Sequence, residues 1–156
     1  MIKKILIPAI FILVVSCGFQ PILKEIDNVD IKIQKINFIG KTELIYEIKN
    51  KLGLLENRNS NGLILTLKIE ENRFSINKNS SGIATEEQLR VSIELTVSDN
   101  SNKNLLTEKM SESARFQLSD NLLNDDAEKN SILNNLIEIL AQKIKFKLII
   151  LTKNLK

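Results

Sequence analysis

An unbroken alternation of apolar and polar residues over positions 89–97 restricts the fold of this chain more than any other feature. Leu, Val and Ile occupy every second position, and Arg, Ser, Glu and Thr lie between them. Because successive side chains of a β-strand point to opposite faces of a sheet, the segment is predicted to be a strand with one face toward the core. The rest of the chain must therefore cover the apolar face of a sheet.

Two neighbouring segments share this two-residue period. Residues 63–70 alternate in the same way, and the period continues over residues 106–118 after a turn of Asp, Asn and Ser at positions 99–104. A polar stretch at residues 77–82, rich in Asn and Ser, separates the first of these strands from the strand at 89–97. Three successive strands joined by short polar turns predict an antiparallel meander.

A strand and a helix are predicted before the meander. Residues 31–38 follow a mostly extended pattern whose apolar period slips between Ile33 and Ile36, and this predicts a strand with a β-bulge. Apolar residues then fall at helical spacing over positions 42–52, with Gly53 placed to end the helix.

The C-terminal segment changes to a helical period. Its apolar stripe consists of Leu133, Leu136, Ile137, Leu140, Ile144, Leu148 and Leu151. Acidic residues at 125–128 lie near its start and lysines at 143–147 toward its end, as the helix dipole favours. The element order is therefore β-α-β-β-β-α. We expect an α+β two-layer sandwich, with a four-stranded, mostly antiparallel sheet covered on one face by two helices.

The N-terminus has the features of a lipoprotein signal peptide. Lys3 and Lys4 precede an apolar run over residues 5–15 that is too short to span a bilayer, which takes about 20 apolar residues. The residues before Cys17, namely Val14, Val15 and Ser16, resemble the bacterial lipobox. We therefore expect cleavage before Cys17, acyl chains on that cysteine and a lipid-anchored mature protein. This divides the chain into a signal peptide (1–16), a lipidated tether (17–30) and a folded domain (31–156).

Cys17 is also the only cysteine in the sequence. A lone cysteine is often a free, buried thiol, but the position at the end of a signal sequence favours lipidation. No disulfide can form within the chain, so the fold must be stable without one.

The composition excludes most catalytic sites. With no His and a single Cys, the chain cannot assemble a Ser/His/Asp triad, a Cys/His pair or a zinc site of nitrogen and sulfur ligands. Two pairs of adjacent acids remain, Glu86 with Glu87 and Asp125 with Asp126. Neighbouring acids on a strand point to opposite faces, and acids at a helix start usually interact with its dipole. The sequence therefore favours a non-enzymatic binding or assembly role, with no cofactor or metal.

The charge balance and the low aromatic content argue against nucleic-acid binding. The 22 Lys and Arg are nearly balanced by 19 Asp and Glu, whereas nucleic-acid binding calls for a clear basic excess. Aromatic residues make up 4% of the chain and Trp is absent, so bases would find little to stack on.

The mature chain would begin with the run Cys17, Gly18, Phe19, Gln20 and Pro21, an acylated cysteine followed by glycine and an aromatic residue. This run resembles the start of the mature LPS-assembly lipoproteins of the family LptE. The order of elements, the hairpin with Gly82, Ala84 and Thr85, and a C-terminal helix around Leu140 and Ala141 are similar to that family as well. The similarity covers essentially the whole mature chain.

The resemblance implies a plug protein. Members of the family sit inside the outer-membrane barrel LptD, assist its assembly and help to deliver lipopolysaccharide to the outer leaflet, without catalytic activity. Gly18 after Cys17 agrees with an outer-membrane location. The resemblance also implies a lipopolysaccharide or barrel contact at the hairpin tip, at Lys78, Asn79 and Gly82.

Two alternatives stay open from the sequence. Lys78 could equally be an ordinary solvated turn lysine. A second basic position of the family corresponds here to Asp125 and Asp126, which argues against two-point binding of lipid A phosphates. The protein could also be a periplasmic lipoprotein whose sheet captures a small apolar ligand.

Overall fold

The computed structural model describes residues 31–58, 61–119 and 122–155. The predicted signal peptide, the tether and Cys17 lie outside these residues. The elements follow the predicted order β-α-β-β-β-α, which confirms the expected fold class. They are β1 (Ile33–Ile39), α1 (Thr42–Leu52), β2 (Leu63–Lys78), β3 (Ala84–Ser98), β4 (Asn104–Gln117) and α2 (Leu122–Asn154).

The four strands form one open mixed sheet in the order β1-β2-β3-β4. β1 runs parallel to β2, because α1 carries the chain back between them, and the other two pairs are antiparallel. The register of β1 shifts between Ile33 and Lys35, which confirms the predicted bulge. The meander predicted from the alternation at 89–97 and its neighbours is also confirmed.

One face of the sheet and the two helices enclose a single core. Leu65, Leu67, Leu89, Ile93 and Leu95 project from β2 and β3 and are completely buried. They pack with buried residues of both helices in one hydrophobic cluster. The residues between them on the strands form the opposite face of the sheet, called the open face below, which is mainly polar.

Helix α1 packs on this core through Leu44, Ile48 and Leu52. It ends at Gly53, as predicted, because this residue adopts a left-handed conformation with φ of 57° and donates its N–H to the carbonyl of Lys49 at 3.1 Å.

Helix α2 is the longest element and packs across the sheet through Ile137, Leu140, Ile144 and Leu148, each at most 1% exposed. Its flanks carry polar links to its neighbours. Lys147 pairs with Glu108 of β4 at 2.8 Å, and Lys143 pairs with Glu112 of the same strand. Glu138 forms an ion pair with Lys51 of α1, with 3.2 Å between the carboxylate oxygen and the ammonium nitrogen. Among the described residues, no helix is sufficiently long and apolar to cross a membrane.

Candidate functional site

The β2–β3 hairpin extends well past the hydrophobic core. Its strands stay paired as far as Lys78 and Ala84, whereas the last buried residue of β2 is Ile69. Every residue from position 72 to 83 is exposed. On the neighbouring strands the core continues to Leu89 and Phe116, which lie level with Arg73 and Ser75. At about 3.3 Å per residue, Lys78 is therefore about 10 to 17 Å beyond the core. Residues 72–86 are called the projecting hairpin below.

The strands continue further than their apolar alternation indicates, because backbone pairing does not require apolar side chains. In this region alternate backbone groups of β2 face β3, with a register shift around Ile76, and β3 is supported on its other side by β4 up to Gln117 opposite Glu86. Leu118 extends this support by donating its N–H to the carbonyl of Thr85 at 2.9 Å. A third strand thus stiffens the base of the projecting hairpin.

Side chains across the strands reinforce this part of the sheet. The guanidinium of Arg90 lies over the ring of Phe74, 5.2 Å from its centroid. Arg73 forms an ion pair with Glu87, and its guanidinium also lies 5.9 Å from the ring centroid of Phe116. These contacts favour an ordered hairpin over a frayed one.

The turn at the tip is built around Asn79. Its side-chain oxygen accepts the N–H groups of Ser81 and Ile83, each at 3.0 Å, and its own N–H donates to the carbonyl of Ile83 at 2.9 Å. Gly82 has a φ of 79°, a conformation that side chains disfavour, and donates its N–H to the carbonyl of Asn79 at 2.9 Å. Two of the three residues predicted for contact, Asn79 and Gly82, therefore shape the turn.

Lys78 lies where β2 enters this turn, directly opposite Ala84. Its side chain is exposed, and it has no ion-pair partner among the residues that the structure describes. The structure thus places Lys78, Asn79 and Gly82 together at the exposed tip. An ammonium in this position can pair with a phosphate or carboxylate.

Exposed apolar side chains lie on the same hairpin as Lys78. Phe74 is 42% exposed, Ile76 is 36% exposed and Ile83 is 64% exposed. Exposed apolar groups next to a lysine match a ligand that carries both a hydrocarbon portion and an anionic group.

Sequence reasoning missed three arginines below the tip, at positions 73, 90 and 115. Arg90 and Arg115 lie on the open face. The alternation of apolar and polar residues in β3 and β4 predicts this placement. Arg115 is 3.9 Å from Glu86, and this ion pair leaves 64% of the arginine side chain exposed. The projecting hairpin therefore has basic groups along its base as well as at its tip.

Asp125 has a structural role. It is 8% exposed and accepts hydrogen bonds from the backbone N–H and the hydroxyl of Ser119, at 2.9 and 2.8 Å. These bonds fix the connection between β4 and α2. Asp126, the next residue after Asp125, is exposed. Asp125 therefore stabilises the start of α2.

A small groove lies at the C-terminal end of α1. It has a volume of about 270 Å³ and is lined by Ile36, Phe38, Leu52, Leu54, Leu55, Lys49 and Glu56. Within the described parts of the chain, no group of acidic or sulfur-bearing side chains is arranged to hold a metal ion.

The fold is shared with bacterial lipoproteins of known structure. A minor lipoprotein from Acinetobacter baumannii superimposes with a TM-score of 0.61 at 16% identity, covering 76% of this chain and 90% of that one. The rare lipoprotein B from Shewanella oneidensis gives 0.60 at 14% identity, covering 78% and 98%. A lipoprotein from Caulobacter crescentus gives 0.58 at 18% identity, covering 78% and 92%. These similarities show a common α+β fold.

A match to a family model identifies the protein family of this chain. A comparison with curated proteins finds no significant match. The model of the family LptE, described as lipopolysaccharide assembly, matches residues 30–148. The chain therefore belongs to the LptE family, the lipopolysaccharide-assembly lipoproteins of the Gram-negative envelope.

Proposed function

We propose that this protein is a non-enzymatic outer-membrane lipoprotein that plugs the LptD barrel, helps it to assemble and supports the delivery of lipopolysaccharide to the outer leaflet. The protein is held to the membrane by acyl chains on Cys17. Its membership of the LptE family and its fold support this proposal.

The observation that carries the proposal is the projecting hairpin with Lys78 at its exposed tip. A plug must present loops to the barrel wall or to the cargo, and function concentrates on loops carried by a rigid sheet. Here three paired strands hold the tip about 10 to 17 Å beyond Phe116 and Leu89, the outermost buried residues of β4 and β3. Lipopolysaccharide joins phosphates to acyl chains, and the tip combines an ammonium with exposed Ile76 and Ile83.

A charge reversal tests the site. Lys78→Glu should leave the fold and the membrane anchor intact but weaken lipopolysaccharide binding or barrel maturation, because a hydrogen bond to a charged group contributes about 1.5 to 3 kcal/mol. Lys103→Glu is the matched control, since Lys103 is an exposed lysine in the turn at the opposite end of β3. Outer-membrane permeability and the amount of mature barrel are measured in cells that carry each variant.

Photo-crosslinking locates the contact. A photoreactive amino acid placed at successive positions of residues 75–84 should capture the barrel or the glycolipid, and the same amino acid at residues 100–103 should capture neither. If no position of the tip is captured and the Lys78→Glu cells keep a normal permeability barrier, the tip is a plain turn.

The alternative of a small apolar ligand is favoured by the groove beside Phe38 and Leu52. A carrier would be extracted with its ligand and without a barrel. Lipid extraction of the purified protein followed by mass spectrometry separates this alternative from the plug.

A further inference from the structure

Helix α2 carries a second apolar stripe that faces away from the core. Ile139, Phe146 and Ile150 are separated by seven and four residues, so they share one face of the helix. They are 41%, 44% and 41% exposed. A helix that packs on a sheet by one stripe normally has a polar outer face. This helix is apolar on both sides along its C-terminal half.

The outer stripe lies in a basic segment. Residues 141–155 contain no Asp or Glu and include Lys143, Lys145, Lys147 and Lys153. Lys143 and Lys147 pair with glutamates of β4. In the described part of the chain, Lys145 and Lys153 have no ion-pair partner, so their charge is left for an external anion.

This segment lies next to the point where the chain enters the domain. Lys32, which precedes β1, lines the same groove as Thr152 and Leu155 at the C-terminal end of α2. Ile31 is fourteen residues after the expected lipid-bearing Cys17, so the anchor lies within about 50 Å of Ile31 even with the chain fully extended. The C-terminal end of α2 therefore lies beside the residues at which the expected tether joins the domain.

We propose that the outer face of the C-terminal half of α2, formed by Ile139, Phe146 and Ile150, docks on an anionic phospholipid surface. Apolar side chains of such a helix enter the interface between headgroups and acyl chains, and lysines at its border pair with lipid phosphates. The helix would lie along the surface. The proposal goes beyond the plug function and concerns the lipoprotein before it joins the barrel, since a domain enclosed by the barrel could not lay this face on lipid.

Tryptophan fluorescence tests the proposal, because the native chain contains no Trp. The full-length lipoprotein with Phe146→Trp is reconstituted in vesicles of phosphatidylglycerol and phosphatidylethanolamine. Its emission should shift to shorter wavelength, and brominated lipids should quench it several-fold more strongly than the control Ser111→Trp. Ser111 is exposed and pairs with Ser92 on the open face, away from both helices. Lys145→Glu with Lys153→Glu, or vesicles of phosphatidylcholine alone, should remove most of the difference.

Two results would overturn the proposal. Equal quenching of both reporters would mean that the outer stripe does not meet lipid. A blue shift at position 146 without quenching by brominated lipids would mean that protein, from this chain or a second copy, covers the stripe. The vesicles contain no barrel, so either result leaves the plug function untouched.

Discussion

The guanidinium of Arg90 lies over the ring of Phe74, 5.2 Å from its centroid, and joins β3 to β2 on the open face at the base of the projecting hairpin. Phe74 is directly opposite Gln88, so Arg90 reaches it diagonally across the strands. Beyond this pair the hairpin has no buried apolar side chain. Its order therefore depends on backbone pairing and on contacts of this kind.

A double-mutant cycle should detect the contact. Arg90→Ala and Phe74→Ala together should be less destabilising than the sum of the single changes, by about 0.5 to 1 kcal/mol, as expected for an exposed cation–π pair. Denaturant unfolding of the four proteins measures the difference. Strictly additive losses would mean that the two side chains act independently.

The register of β3 predicts unequal effects of two adjacent substitutions. Ile93 is completely buried on the core face, and truncation of a buried Ile to Ala costs about 2 to 5 kcal/mol. Ser92 is 7% exposed, but it lies on the open face between Glu70 and Ser111, where loss of a hydroxyl leaves no comparable cavity. Ser92→Ala should therefore cost far less in a denaturant titration. Equal losses would show that the register is wrong.

Asp125 and Asp126 should also differ. Asp125→Ala removes the acceptor of two hydrogen bonds from Ser119, and each bond to a charged acceptor contributes about 1.5 to 3 kcal/mol. Asp126→Ala, at an exposed position in the same turn of α2, should change stability little. Thermal unfolding of both variants measures the difference in stability. If the two substitutions have the same effect, the hydrogen bonds to Ser119 do not stabilise the start of the helix.

The elements that bury a core could be predicted from the sequence. The alternation at 89–97 defines β3, and the helical spacing at 133–151 defines α2, because burial forces apolar residues to follow the period of each element. Gly53 predicts the end of α1 for a different, local reason, since the residue that ends the helix adopts a left-handed conformation.

The length of the hairpin could not be predicted in this way. Residues 72–78 are exposed and residues 84–88 are partly buried but mostly polar, so their side chains show no apolar period, and only the backbone pairing with a neighbouring strand reveals the extended strands. The outer stripe of α2 was also missed. Ile139, Phe146 and Ile150 are interspersed with core residues, and in the sequence a helix that is apolar on both sides resembles a broad core stripe.

The position of the candidate residues could be predicted in part. Asn, Ser and Gly mark the turn, and the family resemblance selects Lys78, Asn79 and Gly82 within it. Their contact with lipopolysaccharide or the barrel stays a prediction. Arg90 and Arg115 were not recognised as part of this surface, because their contribution depends on how the three strands align.

The lipid anchor can be tested by mass spectrometry. Cys17→Ala should leave the signal peptide uncut by the lipoprotein peptidase and remove the acyl chains, because the thiol is the attachment point. The mature wild-type chain should begin at Cys17 and carry acyl groups. An unmodified wild-type chain with a different first residue would contradict the assignment of a lipoprotein.

Capture of the barrel tests the central claim most directly. The wild-type lipoprotein is extracted from membranes in mild detergent, purified through a C-terminal tag and analysed by mass spectrometry for co-purifying proteins. A plug should bring the much larger barrel LptD with it, and Cys17→Ala serves as the control for membrane delivery. Recovery of the wild-type protein without LptD, alone or with a small apolar ligand, would contradict the proposed function.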